Sequence, residues 1–190
     1  MFNIVIALGL VFIGFSAQAK NCSLNYNQND VQITWTAYKT PKKVGVPGSF
    51  NKIHVAGPST GNSVVEILSQ SSFSIDLLSL DTKNPTRDKT ISTSFFRPLK
   101  EYSTAKGFFK NISKSKLDMV LNLNGKTKTV PMKLELSGNT LKATGKIDVL
   151  DFAMSGSLAH LHRACKDLHQ GKTWSEVSLQ FTAPFHEKCQ

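Results

Sequence analysis

The feature that most constrains the fold is an alternation of apolar and polar residues across positions 116–151. Leu, Met, Val and Ile dominate one side of each run, and Lys, Thr, Asp, Glu and Asn dominate the other, over residues 117–123, 130–136 and 141–149. Successive side chains of a β-strand point to opposite faces, so these runs predict three half-buried strands. Asn124-Gly125 and Gly138-Asn139 separate the runs and suit tight hairpins. The rest of the chain must cover the apolar face of this antiparallel meander.

Further strands flank the meander on both sides. Runs with the same alternation or a β-branched bias predict strands over residues 31–38, 44–55, 73–77, 103–112 and 173–185. Gly45, Pro47 and Gly48 indicate that the strand over 44–55 is bent or bulged. Hairpins at short spacing without a linker predict one all-β domain, either a sandwich or a barrel.

Two helical segments interrupt this series. Asn84-Pro85 predicts a helix start, followed by a short helix that ends before Pro98. The second segment, 155–169, has an apolar stripe formed by Leu158, Leu161, Cys165 and Leu168.

The first residues predict export of the chain. An apolar run over 4–15 is too short for a comfortable membrane span, and Ser16-Ala17-Gln18-Ala19 follows it. We therefore predict a signal peptide over residues 1–19 and a β-barrel domain over 20–190. The run lacks a preceding Lys or Arg, so an uncleaved N-terminal anchor stays open as the alternative.

The charge balance favours anionic partners, with 23 Lys and Arg against 13 Asp and Glu and a net charge of +10. The basic residues are scattered, which is typical of a solvated exterior. The functional alternative is transient contact with an anionic membrane surface. An exported protein rarely meets nucleic acid, so we expect no nucleic acid partner. The sequence does not indicate the oligomeric state.

Three cysteines in an exported chain predict one disulfide and one free thiol. Cys22, Cys165 and Cys189 allow three pairings, and the residues by themselves leave all three open.

Catalytic motifs are weak. Residues 57–61 spell G-x-S-x-G, but a nucleophile elbow needs a following helix, and we expect strands on both sides of this turn. Asp76 and Asp81 with Arg87 and Asp88 suggest an acid–base site, although a hydrogen-bonded loop around Arg87 is the better interpretation. We expect no enzymatic activity.

The competing function is a metal-linked or redox-linked protein. His162, Cys165 and His169 have a spacing that shares one helix face, and imidazole with thiolate suits zinc or copper. Against it, an exported cysteine is expected to be oxidised, so we predict no metal.

Several segments together resemble the YceI-like family of exported bacterial lipocalin-like barrels. The matching segments are WTAYKTPKKVGVPGSF (35–50), FSIDLLSLDTKNPTRD (73–88), LNLNGKTKTVPMKLEL (121–136) and GKIDVLDFAM (145–154). The resemblance implies an eight-stranded antiparallel barrel with two short helical insertions, a periplasmic location and no cofactor beyond a bound lipid. That lipid is an amphiphilic isoprenoid, of quinone or polyprenyl type, held in an apolar tunnel. The segment 155–174 resembles a subgroup with an extra helix, which implies a Cys22–Cys165 disulfide.

The strand alternation then predicts which side chains face the tunnel. The predicted ligand-binding residues are Trp35, Phe50, Phe73, Ile75, Leu77, Phe108, Met119, Leu121, Leu123, Met132, Leu134, Ile147, Phe152 and Phe181. Small residues on the same sides, Ala37, Ala143, Gly145 and Ala183, leave room between the walls. Met119 and Met132 are adaptable enough to line a flexible ligand. Whether this group lines a tunnel or meets in a packed core is the question for the structure.

Overall fold

Thirteen strands and three α-helices make up the computed structural model, which describes residues 22–100 and 103–189. The strands are β1 (Cys22–Asn25), β2 (Gln32–Lys39), β3 (Val44–Phe50), β4 (Ile53–Ala56), β5 (Thr60–Gly61), β6 (Ser72–Asp76), β7 (Leu80–Asp81), β8 (Thr104–Lys110), β9 (Lys116–Leu123), β10 (Lys126–Ser137), β11 (Thr140–Asp148), β12 (Thr173–Pro184) and β13 (His186–Cys189). The α-helices are α1 (Val64–Ser69), α2 (Pro85–Ile91) and α3 (Ser155–Ala164). A π-helical turn, Ser92–Phe96, continues α2, and short 3₁₀ turns lie at Gln28–Asp30, Leu77–Ser79 and Val149–Phe152.

The main sheet curls into a ring. Its ten strands are antiparallel neighbours in the order β4-β6-β8-β9-β10-β11-β12-β2-β3-β7. The two edge strands belong to bent strands, since β4 continues β3 and β7 continues β6, so the edges meet. Asn51 N donates to Ser79 O at 2.9 Å, and Asp76 N donates to Lys52 O at 3.0 Å, which bridges the two bends. With each bent pair counted as one strand, the ring is the predicted eight-stranded barrel.

The meander of β9, β10 and β11 forms with the predicted hairpins. Asn124 and Gly125 adopt φ values of 52° and 70°, and Leu123 pairs with Lys126 across the turn. Gly138 adopts a φ of 56° between β10 and β11. The inward residues of β9 are buried and the outward ones are more exposed, as the alternation predicts. The apolar face is covered by the barrel closing on itself.

The predicted orientation of β8 is wrong by one residue. Phe108 points outward and is 48% exposed, whereas Ala105 and Gly107 are buried. Phe109 faces the interior and packs on the core. Gly107 is opposite Phe73 on β6, and the Phe73 ring lies over it, so a side chain at position 107 would collide with that ring. This close contact fixes which of the two adjacent phenylalanines turns inward.

The helix after Asn84 forms as predicted. The Asn84 side chain accepts a hydrogen bond from Arg87 N at 3.0 Å, and Pro85 occupies the first helical position. Arg97 N then donates to Ser92 O at 3.0 Å, the five-residue spacing of a π-helical turn.

The segment after residues 57–61 differs from the expectation. The turn leads into the two-residue strand β5 and then into α1, where we expected only strands. Ser63 starts α1 because its side chain accepts from Glu66 N at 3.1 Å, while Glu66 Oε2 accepts from Asn62 N at 2.8 Å. Within the part of the chain that the structure describes, β5 pairs only with β1, in an antiparallel sheet, so the turn does not form the elbow of an α/β sheet.

The helical segment predicted over 155–169 is shorter in the structure. The α3 helix ends at Ala164, and turns continue to Gly171, whose φ is 70°. The predicted stripe holds at Leu158, Leu161 and Cys165 but not at Leu168, which is 77% exposed.

The disulfide joins Cys22 to Cys189, so the predicted Cys22–Cys165 pair is wrong. Strands β1 and β13 are antiparallel neighbours, and their register places Cys22 directly opposite Cys189, with Cα atoms 4.0 Å apart. Cys165 is a buried free thiol at the end of α3. The chain ends are thus joined in a small three-stranded sheet, β13-β1-β5.

The predicted signal peptide, residues 1–19, lies outside the described residues. Within residues 22–100 and 103–189, no helix combines the length and the apolar character required to cross a membrane.

Candidate functional site

The barrel interior holds an apolar cavity of about 130 Å³ below α2, the π-helical turn and α3. Strands β2, β6, β8, β9, β11 and β12 form its walls, and almost all of its surface is apolar. Ala37 and Ala105 lie on the wall, where larger side chains would take up the space. The cavity is therefore the candidate site for an apolar molecule.

Most of the predicted ligand-binding residues line this cavity. They are Trp35, Phe50, Ile75, Leu77, Met119, Leu121, Leu123, Ile147 and Phe181. Phe73 lines a second, smaller cavity instead. Contact of these residues with a lipid stays a prediction.

The other predicted residues lie elsewhere. Met132, Leu134 and Phe152 are buried but line neither cavity. Phe108 lies on the outside of the barrel, so its predicted place in the tunnel is wrong. Phe108 and Val120 instead border a shallow groove on the outer surface.

Three phenylalanine rings close the deep end of the larger cavity. Phe181 on β12 packs against Phe73 on β6 at 5.1 Å and against Phe109 on β8 at 5.7 Å between ring centroids. Phe73 and Phe109 are 5.6 Å apart. Since β8 and β12 lie on opposite sides of the eight-membered ring, these contacts cross the whole barrel. We call Phe73, Phe109 and Phe181 the aromatic floor.

A smaller cavity of about 50 Å³ lies beyond the aromatic floor, toward Tyr26 and Phe185. Phe181 and Ile33 line both cavities, so they form the partition between them. The interior is thus two chambers rather than one open tunnel.

The sequence left open whether Met119, Met132, Ala143 and Gly145 line a tunnel or pack together, and the structure shows both arrangements. Met119 lines the larger cavity and Ala143 the smaller one. Gly145 lies opposite Met132, and the Met132 sulfur fills the space that a side chain at position 145 would need. Met119 and Ala143 thus border free space, whereas Met132 and Gly145 pack against each other in the core.

The helical cover consists of α2, the π-helical turn and α3. Ile91, Phe95, Leu158 and Leu161 line the cavity from these elements and are only half-buried. The ring centroids of Phe95 and Phe96 are 5.2 Å apart, and those of Phe96 and Phe50 are 6.4 Å apart. None of these four cavity-lining residues of the cover was predicted to bind the ligand. The apolar stripes on both helical segments were the signal, because such a stripe must pack on something.

Two lysine side chains lie close to Trp174, a residue that lines the cavity. The ammonium of Lys172 is 4.5 Å from a Trp174 ring centroid, and that of Lys43 is 5.2 Å away. Lys43 pairs with Glu176 at 2.9 Å, and Lys172 has no carboxylate partner among the described residues. Hydrogen bonds from Lys43 and Lys146 lower the pKa of Glu176. Positive charge thus lies next to the apolar lining of the cavity at Trp174.

The histidine–cysteine helix does not assemble the metal site that its spacing suggests. Among the described residues, the ligand atoms of His162, Cys165 and His169 do not form a cluster close enough to share an ion. The group that does come together is Cys22, Glu187 and Cys189, in which both sulfurs are already joined to each other. Burial raises the pKa of the Cys165 thiol, and burial, followed by the charges of Lys39 and His162, lowers the pKa of His169.

The acidic residues near Arg87 form a structural loop, as preferred above. Arg87 Nε donates to Thr82 Oγ1 at 2.8 Å, and Arg87 Nη2 donates to Thr82 O at 2.9 Å. Asp88 accepts from both the backbone N–H and the hydroxyl of Thr82, at 3.0 and 2.6 Å. Asp81 binds Lys83, whose hydrogen bonds lower the Asp81 pKa, and Asp76 caps the preceding 3₁₀ turn, Leu77–Ser79. The carboxylates are therefore occupied in fixing this loop.

A single protein-family model covers almost the whole described chain. The model of the YceI-like domain matches residues 23–185. The chain belongs to the YceI-like family. This agrees with the resemblance found from the sequence segments.

Solved structures support the YceI-like fold. A polyisoprenoid binding domain from Saccharophagus degradans, implicated in plant cell wall breakdown, aligns with a TM-score of 0.60 and 14% identity, over 88% of this chain and 99% of that one. Burkholderia cenocepacia BcnA aligns with a TM-score of 0.58 and 17% identity, over 85% and 99% of the two chains. At these identities the similarity establishes the fold alone. Among curated proteins, no match was found.

Proposed function

We propose that this protein binds an amphiphilic isoprenoid lipid, of quinone or polyprenyl type, in the larger cavity and carries or sequesters it. The observation that carries the proposal is an apolar cavity of about 130 Å³ enclosed by a closed barrel. Membership of the YceI-like family supports it, and so does the polyisoprenoid binding described for the Saccharophagus degradans domain. The protein acts by binding and not by catalysis, with no cofactor besides the lipid.

The source of affinity is apolar burial. Each methylene transferred from water contributes about 0.8 kcal/mol, so about ten buried prenyl carbons correspond to the free energy of micromolar binding without any charged group in the cavity. The wall of the cavity offers such an environment at Met119, Leu121 and Ile147.

The helical cover is the element that adapts to the lipid. The cavity is close in volume to an engineered cavity of about 150 Å³ that admits one benzene. A whole prenyl tail needs more space, and we propose that α2 and α3 separate to provide it. Ile91, Phe95, Leu158 and Leu161 are only half-buried, so their separation costs less apolar burial than opening the barrel wall.

We further propose a periplasmic location with transient contact to an anionic membrane surface. The Cys22–Cys189 disulfide and the predicted signal peptide support an oxidising compartment. Lys43 and Lys172 lie against the ring of Trp174, which lines the cavity, so the surface that meets the membrane adjoins the binding site. Each lysine near an anionic surface contributes about 1 kcal/mol, so K43A/K172A is expected to weaken binding to phosphatidylserine vesicles by roughly 30-fold at low salt. Equal vesicle binding by both proteins contradicts the membrane contact.

Intrinsic fluorescence tests the lipid-binding function. The chain has two tryptophans, Trp35 and Trp174, and both line the larger cavity. A prenylated benzoquinone accepts energy or an electron from an adjacent indole, so bound quinone is expected to quench most of the emission at a 1:1 molar ratio. The control is a water-soluble quinone derivative with an anionic substituent, which the apolar wall excludes. Quenching that does not saturate, or that the control matches, contradicts binding in the cavity.

A further inference from the structure

Two turns lie side by side at the end of the barrel that holds the larger cavity. The first, residues 40–43, joins β2 to β3, and the second, residues 165–171, leads from α3 to β12. Thr40 N donates to Lys172 O at 3.0 Å, and Trp174 Nε1 donates to Thr40 O at 2.8 Å, so hydrogen bonds hold the two turns together. We call them the end turns. Because α3 belongs to the helical cover, the end turns adjoin that cover.

The end turns present apolar side chains to solvent. Leu168 is 77% exposed, the largest fraction for a bulky apolar side chain within residues 22–100 and 103–189. Val44, which directly follows the first end turn, is 46% exposed. Single exposed leucines are common on protein surfaces, so the charges around Leu168 decide what it indicates.

Positive charge surrounds these two side chains. Residues 39–44 and 163–172 together contain six Lys or Arg and one Asp. Among the described residues, Lys43 is the only one of these six basic residues that forms an ion pair, with Glu176. Protruding aliphatic side chains beside lysines and a tryptophan are typical of a segment that lies in a membrane interface.

Leu136 provides a comparison at the other end of the same barrel. It is 62% exposed and lies near the end of β10, beside the hairpin to β11. At this hairpin Asn139 O accepts a hydrogen bond from Phe185 N, and Phe185 lines the smaller cavity beyond the aromatic floor. Residues 133–139 contain one Lys and one Glu, which pair with each other. An exposed leucine thus coincides with an excess of positive charge at the end turns and not at this hairpin.

We infer that Leu168 and Val44 form a membrane anchor, which enters the hydrocarbon boundary of an anionic bilayer while the surrounding lysines stay among the lipid head groups. This inference rests on the proposed membrane contact and deepens it, because it adds apolar insertion at a defined place to the attraction between charges. Lysine side chains extend their ammonium groups toward water, so they do not oppose insertion of the neighbouring apolar side chains.

The anchor brings the helical cover against the bilayer. The α3 helix runs directly into the second end turn, and its Leu158 and Leu161 line the larger cavity. A lipid that passes between α2 and α3 then moves between the bilayer and the cavity without crossing water. Transfer is therefore expected on collision with a membrane, at a rate that rises in proportion to the concentration of vesicles.

Sedimentation with vesicles of equal parts phosphatidylcholine and phosphatidylglycerol tests the anchor. L168A is expected to weaken vesicle binding roughly tenfold, because alanine has three fewer carbon atoms to bury. This factor is expected to stay constant as salt increases, whereas the loss caused by K43A/K172A diminishes through screening. The matched control L136A is expected to bind like the unmodified protein. Quenching by prenyl quinone without vesicles is expected to be unchanged in L168A, since Leu168 does not line the cavity.

Tryptophan emission measures the insertion itself. L168W and L136W each place an additional indole at an exposed position. On addition of the same vesicles, the emission of L168W is expected to move to shorter wavelength by more than that of the unmodified protein, and the emission of L136W is not. Equal shifts in the two variants overturn the inference.

The outcomes separate the anchor from the proposals on which it rests. Unchanged vesicle binding in L168A together with a loss in K43A/K172A overturns the anchor and leaves the electrostatic contact standing. Failure of the unmodified protein to bind these vesicles overturns the membrane contact and the anchor together, whereas quinone quenching tests the lipid site independently. Recovery of tryptophan emission follows release of bound quinone to vesicles, and a rate that does not depend on vesicle concentration overturns direct transfer.

Discussion

Filling the larger cavity with protein atoms is expected to stabilise the empty barrel and to weaken lipid binding. Ala105 is 3% exposed, lies on the cavity wall and pairs with Ile75. Its replacement in A105L adds three carbon atoms to this space. The free volume of about 130 Å³, at roughly 24 cal/mol per Å³, corresponds to about 3 kcal/mol of packing that the empty barrel lacks.

The two effects of A105L have opposite signs. Leucine recovers part of that packing, so the free energy of unfolding is expected to rise by about 0.5–2 kcal/mol. The same three carbons displace ligand carbons worth about 0.8 kcal/mol each, so the dissociation constant is expected to rise roughly 50-fold. Urea denaturation followed by circular dichroism measures the first quantity, and tryptophan quenching by the prenyl quinone measures the second.

A143L is the matched control. Ala143 is also 3% exposed, but it lines the chamber of about 50 Å³ beyond the aromatic floor. Leucine overfills this smaller space and is expected to cost about 1–3 kcal/mol of stability while leaving the quinone affinity unchanged. A folded A105L protein that binds quinone as tightly as the unmodified protein would refute the assignment of the site. A143L weakening binding as much as A105L would refute the two-chamber description.

Three further predictions concern the frame around the cavity. The Cys22–Cys189 bridge spans 167 residues and contributes about 5 kcal/mol in the chain-entropy model. C22S/C189S is therefore expected to lower the free energy of unfolding in urea by up to that amount. Peptide mapping that finds another bridge contradicts the assignment. Burial raises the pKa of Cys165, so iodoacetamide at pH 8 is expected to alkylate it slowly in the native protein and quickly in denaturant, and equal rates contradict its burial. Arg87→Ala removes two bonds to Thr82 and is expected to cost roughly 1–3 kcal/mol of stability, and an unchanged urea midpoint contradicts a structural role.

The alternation in the sequence was sufficient to predict the barrel wall. Strands such as β9 bury one side and leave the other partly exposed, so Met119, Leu121 and Leu123 follow directly from the pattern. The pattern was ambiguous in β8, where two phenylalanines are adjacent and the inward side begins with Ala105 and Gly107. The packing of the Phe73 ring on Gly107 decides that orientation, and it involves another strand.

Features that depend on distant contacts were beyond the sequence. The disulfide is set by the pairing of β1 with β13, and local residues do not encode that pairing. The aromatic floor requires Phe73, Phe109 and Phe181 to meet across the barrel. The alternation predicted that Phe73 and Phe181 face inward, but it selected Phe108 in place of Phe109, and it did not indicate that the three rings are in contact. A periodic pattern predicts which way a side chain points, and the closing of the barrel decides what it meets.

We expect the larger cavity to hold a lipid with an isoprenoid tail. The most direct test is mass spectrometry of a solvent extract from the protein purified from its native host without detergent. We expect one prenyl-tailed molecule per chain, with a quinone-type head group, and its loss from A105L. A protein that is purified without lipid and does not bind added prenyl quinone would contradict lipid binding in the larger cavity.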